Sequence, residues 1–120
     1  MNYEVTQQFF FDAAHTLERE IETASSRRVH GHTYRAEIGI RGEPDSATGM
    51  VIDLGQVRQR VALVRETLDH HLLNEVAGLG KPTLENLCRY IAESLQRDGL
   101  SVTRVRVWRD AMGDGCTLTL

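Results

Sequence analysis

Apolar and polar positions alternate along this chain with two different periods, and the switches between them mark out its elements. From Tyr3 to His15 a weak alternation puts Tyr3, Val5, Phe9 and Phe11 on one side of an extended strand. An unbroken strand carries His15 to that side as well. Residues 30–41 alternate more strictly. His30, His32, Tyr34, Ala36, Ile38 and Ile40 share one side, against Thr33, Arg35, Glu37 and Arg41 on the other. Residues 42–49, with Pro44, Asp45 and Ser46 between two glycines, read as a loop.

The period then changes. Asp53 reads as a helix cap with Gln56 as a partial capping box. Val57, Val61, Val64 and Leu68 follow at helical spacing as one apolar stripe. Thr83 caps a second helix whose stripe is Leu84, Leu87, Cys88, Ile91 and Leu95, and Gly99 stops it. Val105 and Val107 alternate with arginines in a third strand. Met112 to Gly115 makes a turn, and Cys116, Leu118 and Leu120 alternate in a fourth strand. The order ββααββ predicts an α+β fold: a four-stranded antiparallel sheet with both helices on one face. The other face is expected to stay wet or to be covered when strand edges associate.

Composition narrows the class without changing this picture. A chain of 120 residues with 41% hydrophobic and 26% charged residues reads as one globular domain, residues 1–120. No apolar run is long enough to cross a bilayer. A formal charge of −3 gives no broad attraction to nucleic acid or acidic lipid. The start Met1-Asn2-Tyr3-Glu4 lacks the marks of an export signal, and the two cysteines form no spaced framework. A reducing cytosol is the expected compartment. Cys88, on the buried helix stripe, reads as a core residue.

The candidate chemistry lies where the apolar sides of the first two strands end in histidine. His30 and His32 flank Gly31 on one strand, and His15 closes the other. Three neutral imidazoles with an open position suit catalytic zinc best, although iron, nickel and cobalt accept the same donors. Gly31 is expected to let backbone approach closely. Asp69-His70 places a carboxylate beside an imidazole, as a general base requires; the same pair also suits a helix C-terminus. Glu85 lies in the first turn of the second helix, where an acidic group favours the dipole. Arg109 ends the third strand on the side of Val105 and Val107, where its charge is expected to reach back to water.

These residues fall into five ordered stretches: Phe11-Asp12-Ala13-Ala14-His15, Val29-His30-Gly31-His32, Gly49-Met50-Val51-Ile52-Asp53, Leu68-Asp69-His70-His71-Leu72-Leu73-Asn74 and Pro82-Thr83-Leu84-Glu85-Asn86. In that order and spacing the chain resembles the 6-pyruvoyl-tetrahydropterin synthase and 6-carboxytetrahydropterin synthase family, the latter a queuosine-pathway branch. The resemblance implies a tunnelling fold. Its sheets join edge to edge into a homo-oligomeric barrel, a trimer or hexamer, with sites at subunit interfaces. It implies zinc (Zn2+) on His15, His30 and His32, and 7,8-dihydroneopterin triphosphate or a related pterin as substrate. Asp69 and His70 match the family's proton relay, and Thr83 and Glu85 fall in its substrate-binding stretch.

Two positions depart from the family's pattern. Its catalytic cysteine, four residues before the first histidine of His-Gly-His, is Ser26 here. A serine hydroxyl is much harder to deprotonate than a thiol. Nearby Glu20 and Glu22 do not occupy the matching place. The family's pterin-gripping glutamate after the third strand is Arg109, which has only donors and repels a cationic edge. Asp110 takes that role only through a one-residue shift, which turns a strand residue to the opposite face. Three readings follow: a zinc-dependent lyase on a pterin; a repurposed dehydratase, isomerase or cyclase on a non-pterin, anionic small molecule; and a homologue that keeps its metal for stability alone.

Overall fold

A computed structural model describes all residues, 1–120. The elements are β1 (Tyr3–His15), α1 (Thr23–Arg27), β2 (His30–Gly42), α2 (Leu54–Leu68), α3 (Leu84–Arg97), β3 (Arg104–Arg109) and β4 (Asp114–Thr119), with a single 3-10 turn at Leu73–Glu75. The strands form one antiparallel sheet in the order β1-β2-β3-β4. The expected ββααββ layout is therefore present with one addition, the five-residue helix α1. So short a helix has no apolar period to reveal it. It begins where the Thr23 hydroxyl donates to the Arg19 and Glu20 carbonyls at 2.6 and 3.2 Å.

β1 and β2 pair without a bulge over their whole length, from Tyr3 opposite Gly42 to His15 opposite His30. Unbroken register preserves the period-two alternation, so odd positions of β1 and even positions of β2 share one face. The helices cover the middle of that inner face. Val57, Val61, Val64 and Leu68 of α2 and Leu87, Cys88, Ile91 and Leu95 of α3 are buried against Phe11, Tyr34, Ala36, Ile38, Val105 and Val107. Leu84, expected on the buried stripe, is only half buried, and Ala92 is buried instead. Truncating a core residue such as Ile91 to Ala would cost about 2–5 kcal/mol.

The helix ends obey their caps. The Asp53 carboxylate accepts from the Gly55 N–H at 2.8 Å, with no reciprocal bond from the Gln56 side chain. The Thr83 hydroxyl accepts from the Asn86 N–H at 3.1 Å. The turn between β3 and β4 falls earlier than expected, at Asp110–Gly113, with Gly113 at a positive φ of 70°. Asp114 and Gly115 thereby join β4, and Asp114 comes opposite Arg109. The outer face carries charge: Arg104 of β3 reaches Glu4 of β1 (2.9 Å) and Glu37 of β2 (2.7 Å). The bridge to Glu4 passes over Gly39, where a Cβ would lie 2.8 Å from the Glu4 carboxylate. No helix is long and apolar enough to cross a membrane.

Candidate metal centre

At one end of the inner face the apolar positions give out and three imidazoles replace them. His15 and His30 are cross-strand partners, and His32 lies one inward-facing position further along β2, opposite Ala13. One ring nitrogen from each of His15, His30 and His32 lies within 4.8 Å of the other two. Sequence pattern and register agree because neither strand contains a bulge that would turn a histidine outward.

Hydrogen-bond partners decide which nitrogen each ring offers. His15 Nδ1–H donates to the Pro82 carbonyl at 3.0 Å, and His30 Nδ1–H donates to the Arg28 carbonyl at 2.7 Å. A carbonyl oxygen only accepts, so both Nδ1 atoms carry the proton and both Nε2 atoms present lone pairs when the rings are neutral. His32 Nε2 faces Arg109 Nη1 at 3.3 Å; a guanidinium only donates, so this nitrogen is also unprotonated, and its lone pair would exchange the Arg109 N–H for an ion. Nε2 of His15 and Nε2 of His30 are 3.0 Å apart. Two lone pairs that close repel unless an electrophile draws them together. Zinc bonds of about 2.0–2.1 Å at tetrahedral angles separate ligand nitrogens by about 3.3 Å, so the donor set fits such an ion.

Charge follows the same logic. Burial, then the neighbouring Arg109 and the other two histidines, push His32 down to about 4. Burial also lowers His15, only partly offset by its bond to Pro82, with His30 and Arg109 adding to the fall. Both rings are neutral near pH 7, the form that ligates a metal. The Tyr34 hydroxyl lies 3.3 Å from His15 Nδ1; burial pushes it up to about 12, so it remains a phenol.

Arg109 does not reach back to water as expected. Its side chain is only 13% exposed, because Asp114 clamps it from the neighbouring strand: Nε to Oδ1 at 2.9 Å and Nη2 to Oδ2 at 2.6 Å. It borders three cavities. One, of about 400 Å³, also holds all three histidines, Ser26 and Arg28. A second, of about 300 Å³, holds His15, Tyr34, Thr83 and Glu85. The third, of about 410 Å³, lies at the β3–β4 turn beside Trp108, Asp110 and Gly113. Ser26 is buried, and its hydroxyl donates to the Thr23 carbonyl of its own helix at 3.1 Å. Asp110 points the other way, onto the outer face, where it pairs with Arg35 and accepts from the Trp108 indole at 3.1 Å. It borders neither the histidine cavity nor that of Thr83 and Glu85, only the one at the turn, since the residue after an inward-facing Arg109 leaves the strand on the opposite side. Gly31 is not needed for close approach: a Cβ there would sit 3.5 Å from the Ala13 carbonyl oxygen, an ordinary contact.

Asp69 and His70 lie along the edge of β1 away from β2 and cover it at Asp12. One Asp69 oxygen accepts from the Asp12 N–H at 2.9 Å, and the other holds His70 Nδ1 at 2.9 Å. These bonds, the Asp12 amide foremost, hold the Asp69 carboxyl below its usual range. His70 adopts a left-handed φ of 59°, and its N–H donates to the Asp12 carbonyl at 2.6 Å. It borders an open recess shared with His32, not the cavities of Arg109. Cys88 on α3 and Cys116 on β4 lie elsewhere; burial raises Cys88 to about 12, so its thiol is inert. Sequence reading missed Asp114, which was assigned to a turn, and the Pro82 and Arg28 carbonyls, which no side-chain pattern marks.

Comparison with known proteins agrees with this geometry. The model of the family described as 6-pyruvoyl tetrahydropterin synthase matches residues 4–119. The 6-carboxy-5,6,7,8-tetrahydropterin synthase of Synechocystis is 33% identical over 101 residues, covering 80% of this chain and 77% of that protein. The dihydroneopterin monophosphate aldolase of Pyrococcus furiosus is 31% identical over 101 residues, covering 82% of each. The structure of 6-pyruvoyl tetrahydropterin synthase from Caenorhabditis elegans superposes with a TM-score of 0.84 at 26% identity, covering 100% of this chain and 96% of that one. With matches that span nearly its whole length and a shared four-stranded fold, the chain belongs to the 6-pyruvoyl tetrahydropterin synthase family.

Proposed function

We propose that this protein is a zinc-dependent lyase that breaks a carbon–oxygen or carbon–carbon bond in a 7,8-dihydroneopterin-type substrate. The observation that carries the reading is the convergence of three imidazoles, two with Nδ1–H tied to backbone carbonyls. His15, His30 and His32 would hold the ion. When bound, it supplies Lewis-acid polarisation of a substrate oxygen and eases loss of a proton from the adjacent carbon.

The chain's own groups do the rest. Asp69 orients His70 by accepting its Nδ1–H, which leaves Nε2 as the proton acceptor. With His70 78% exposed, the pair is suited to a site completed by a second subunit. Thr83 and Glu85 border the cavity of His15 and are assigned to substrate binding. Ser26 lines the histidine cavity but offers no thiolate, so its part is contact rather than base catalysis. The reading includes a trimer or hexamer in a reducing cytosol, for which the edge of β4 and the N-terminal half of the β1 edge supply the pairing surface. Sedimentation of the purified protein tests the assembly.

A second reading keeps metal and base and replaces the pterin. It is favoured by Arg109, buried in the cavity wall where a pterin-binding carboxylate is expected from the family. The relatives' names, a synthase and an aldolase, already span two reactions on one fold. Metal analysis of freshly purified, unchelated protein should give one ion per chain; none would remove the mechanism. Turnover of 7,8-dihydroneopterin triphosphate then separates the readings. Full family-level turnover supports the pterin, and weak or absent turnover supports the replacement.

A further inference from the structure

We infer that Arg109, locked by Asp114, is a specificity-determining residue that binds an oxyanion of the substrate, a carboxylate or a phosphate, beside the histidine cluster. This rests on the metal-lyase reading in its second, non-pterin form and names the substrate class that form requires.

The first support is a donor count. A guanidinium has five N–H donors. Two go to the Asp114 carboxylate, one is taken by the Tyr34 hydroxyl, and one, on Nη1, reaches His32 Nε2. An ion on His32 Nε2 would take that lone pair and release the Nη1 donor, leaving two N–H groups, enough for the two-point grip by which arginine selects carboxylate and phosphate. The second support is orientation. Asp114 is 41% exposed and Arg109 13%, so the carboxylate lies toward water and the guanidinium toward the cavity. An ion pair made only for the strands would have no reason to bury the larger, costlier partner. Fixed in this way, the guanidinium meets a ligand with its side-chain freedom already spent.

The third support is the charge of the cavity. Arg19, Arg28 and Arg109 border it, and its one carboxylate, Glu22, is paired with Arg19 at 3.3 Å. Arg28 has no ion-pair partner. Imidazole ligands add no negative charge, so a divalent ion on them would be left for the substrate to balance. An anion meets that demand, whereas the guanidine-like edge of a pterin opposes it.

The test uses zinc-loaded protein, titrated calorimetrically with inorganic phosphate, with pyruvate and with uncharged 7,8-dihydroneopterin. The variants are Arg109→Gln and the neutral pair Arg109→Gln with Asp114→Asn, which leaves no orphaned carboxylate if the single change folds poorly. The cobalt-substituted proteins report ligand arrival through their visible absorption. An oxyanion should bind the wild type more tightly than dihydroneopterin does. The neutral pair should weaken it about tenfold or more with metal content unchanged. Phosphate ahead of pyruvate assigns a phosphoryl group, and the reverse assigns a carboxylate; either supports the inference. Equal oxyanion affinity in the neutral pair, preference for dihydroneopterin, or no binding of either anion overturns it. If zinc is not retained, the metal reading fails alone. The same titrations on metal-free protein then still decide whether anion binding depends on Arg109.

Discussion

Arg104 and Arg109 stand five residues apart on β3, on opposite faces of the sheet, and they put the same side chain to different uses. Arg104 lies on the outer face between Glu4 of β1 and Glu37 of β2, two carboxylates for one guanidinium. Its charge is more than balanced, and its contacts tie three strands together across Gly39. Arg109 has one carboxylate, Asp114, and turns its remaining donors to a cavity that also holds three imidazoles. An arginine whose charge is met by its own sheet is a brace. One met by half as many carboxylates, at the end of a face the helices do not cover, is available to a ligand.

The largest expected effect breaks the inner side of this comparison. His30→Ala should reduce bound metal from one ion per chain to a trace and abolish activity together; retained metal would show that His30 is not a ligand. Next comes the reversal of specificity. Arg109→Glu alone would set a second carboxylate opposite Asp114, two like charges across adjacent strands, so the reversal needs Asp114→Asn as well as Ser26→Cys. The triple variant should turn over 7,8-dihydroneopterin triphosphate at least about tenfold faster than the wild type, measured by product formation. No gain would mean that these positions do not set the substrate.

The outer side is sharpened by Arg104→Met. It should lower stability by about 1–2 kcal/mol in urea unfolding while leaving metal content and oxyanion binding unchanged. A pH series adds the sign. Arg104 holds the Glu4 carboxyl below 4.5, and the Gln8 amide with Arg104 does the same for Glu37. Folded values that lie below the unfolded ones add stability that is complete above about pH 4.5 and is lost as pH falls through the folded values. Arg104→Met should flatten that acid-side fall. The smallest effect is Gly39→Ala, where the new methyl must displace the Glu4 carboxylate and should cost about 1 kcal/mol.

Much of the fold was legible because its strands contain no bulge. Thirteen residues of β1 and thirteen of β2 pair in one register, so a period of two on paper remains a period of two in space. The helix stripes and their Asp53 and Thr83 caps were legible for the same local reason. Helix α1 was not, since five residues carry no period. Arg109 was read as reaching for water because the residue that restrains it lay in an apparent turn. Moving the turn to Asp110–Gly113 brought Asp114 into register and drew the guanidinium inward.

Local pattern alone, then, settled which residues are strand or helix and that three histidines fall on one side of two strands, because alternation and capping are properties of neighbours in the chain. Only the folded chain determined which imidazole nitrogen points inward, that Arg109 lines the cavity, and that Asp110 does not. Those outcomes depend on carbonyls and carboxylates brought close from distant positions, Pro82 to His15 and Asp114 to Arg109, by pairing and packing that no single segment encodes.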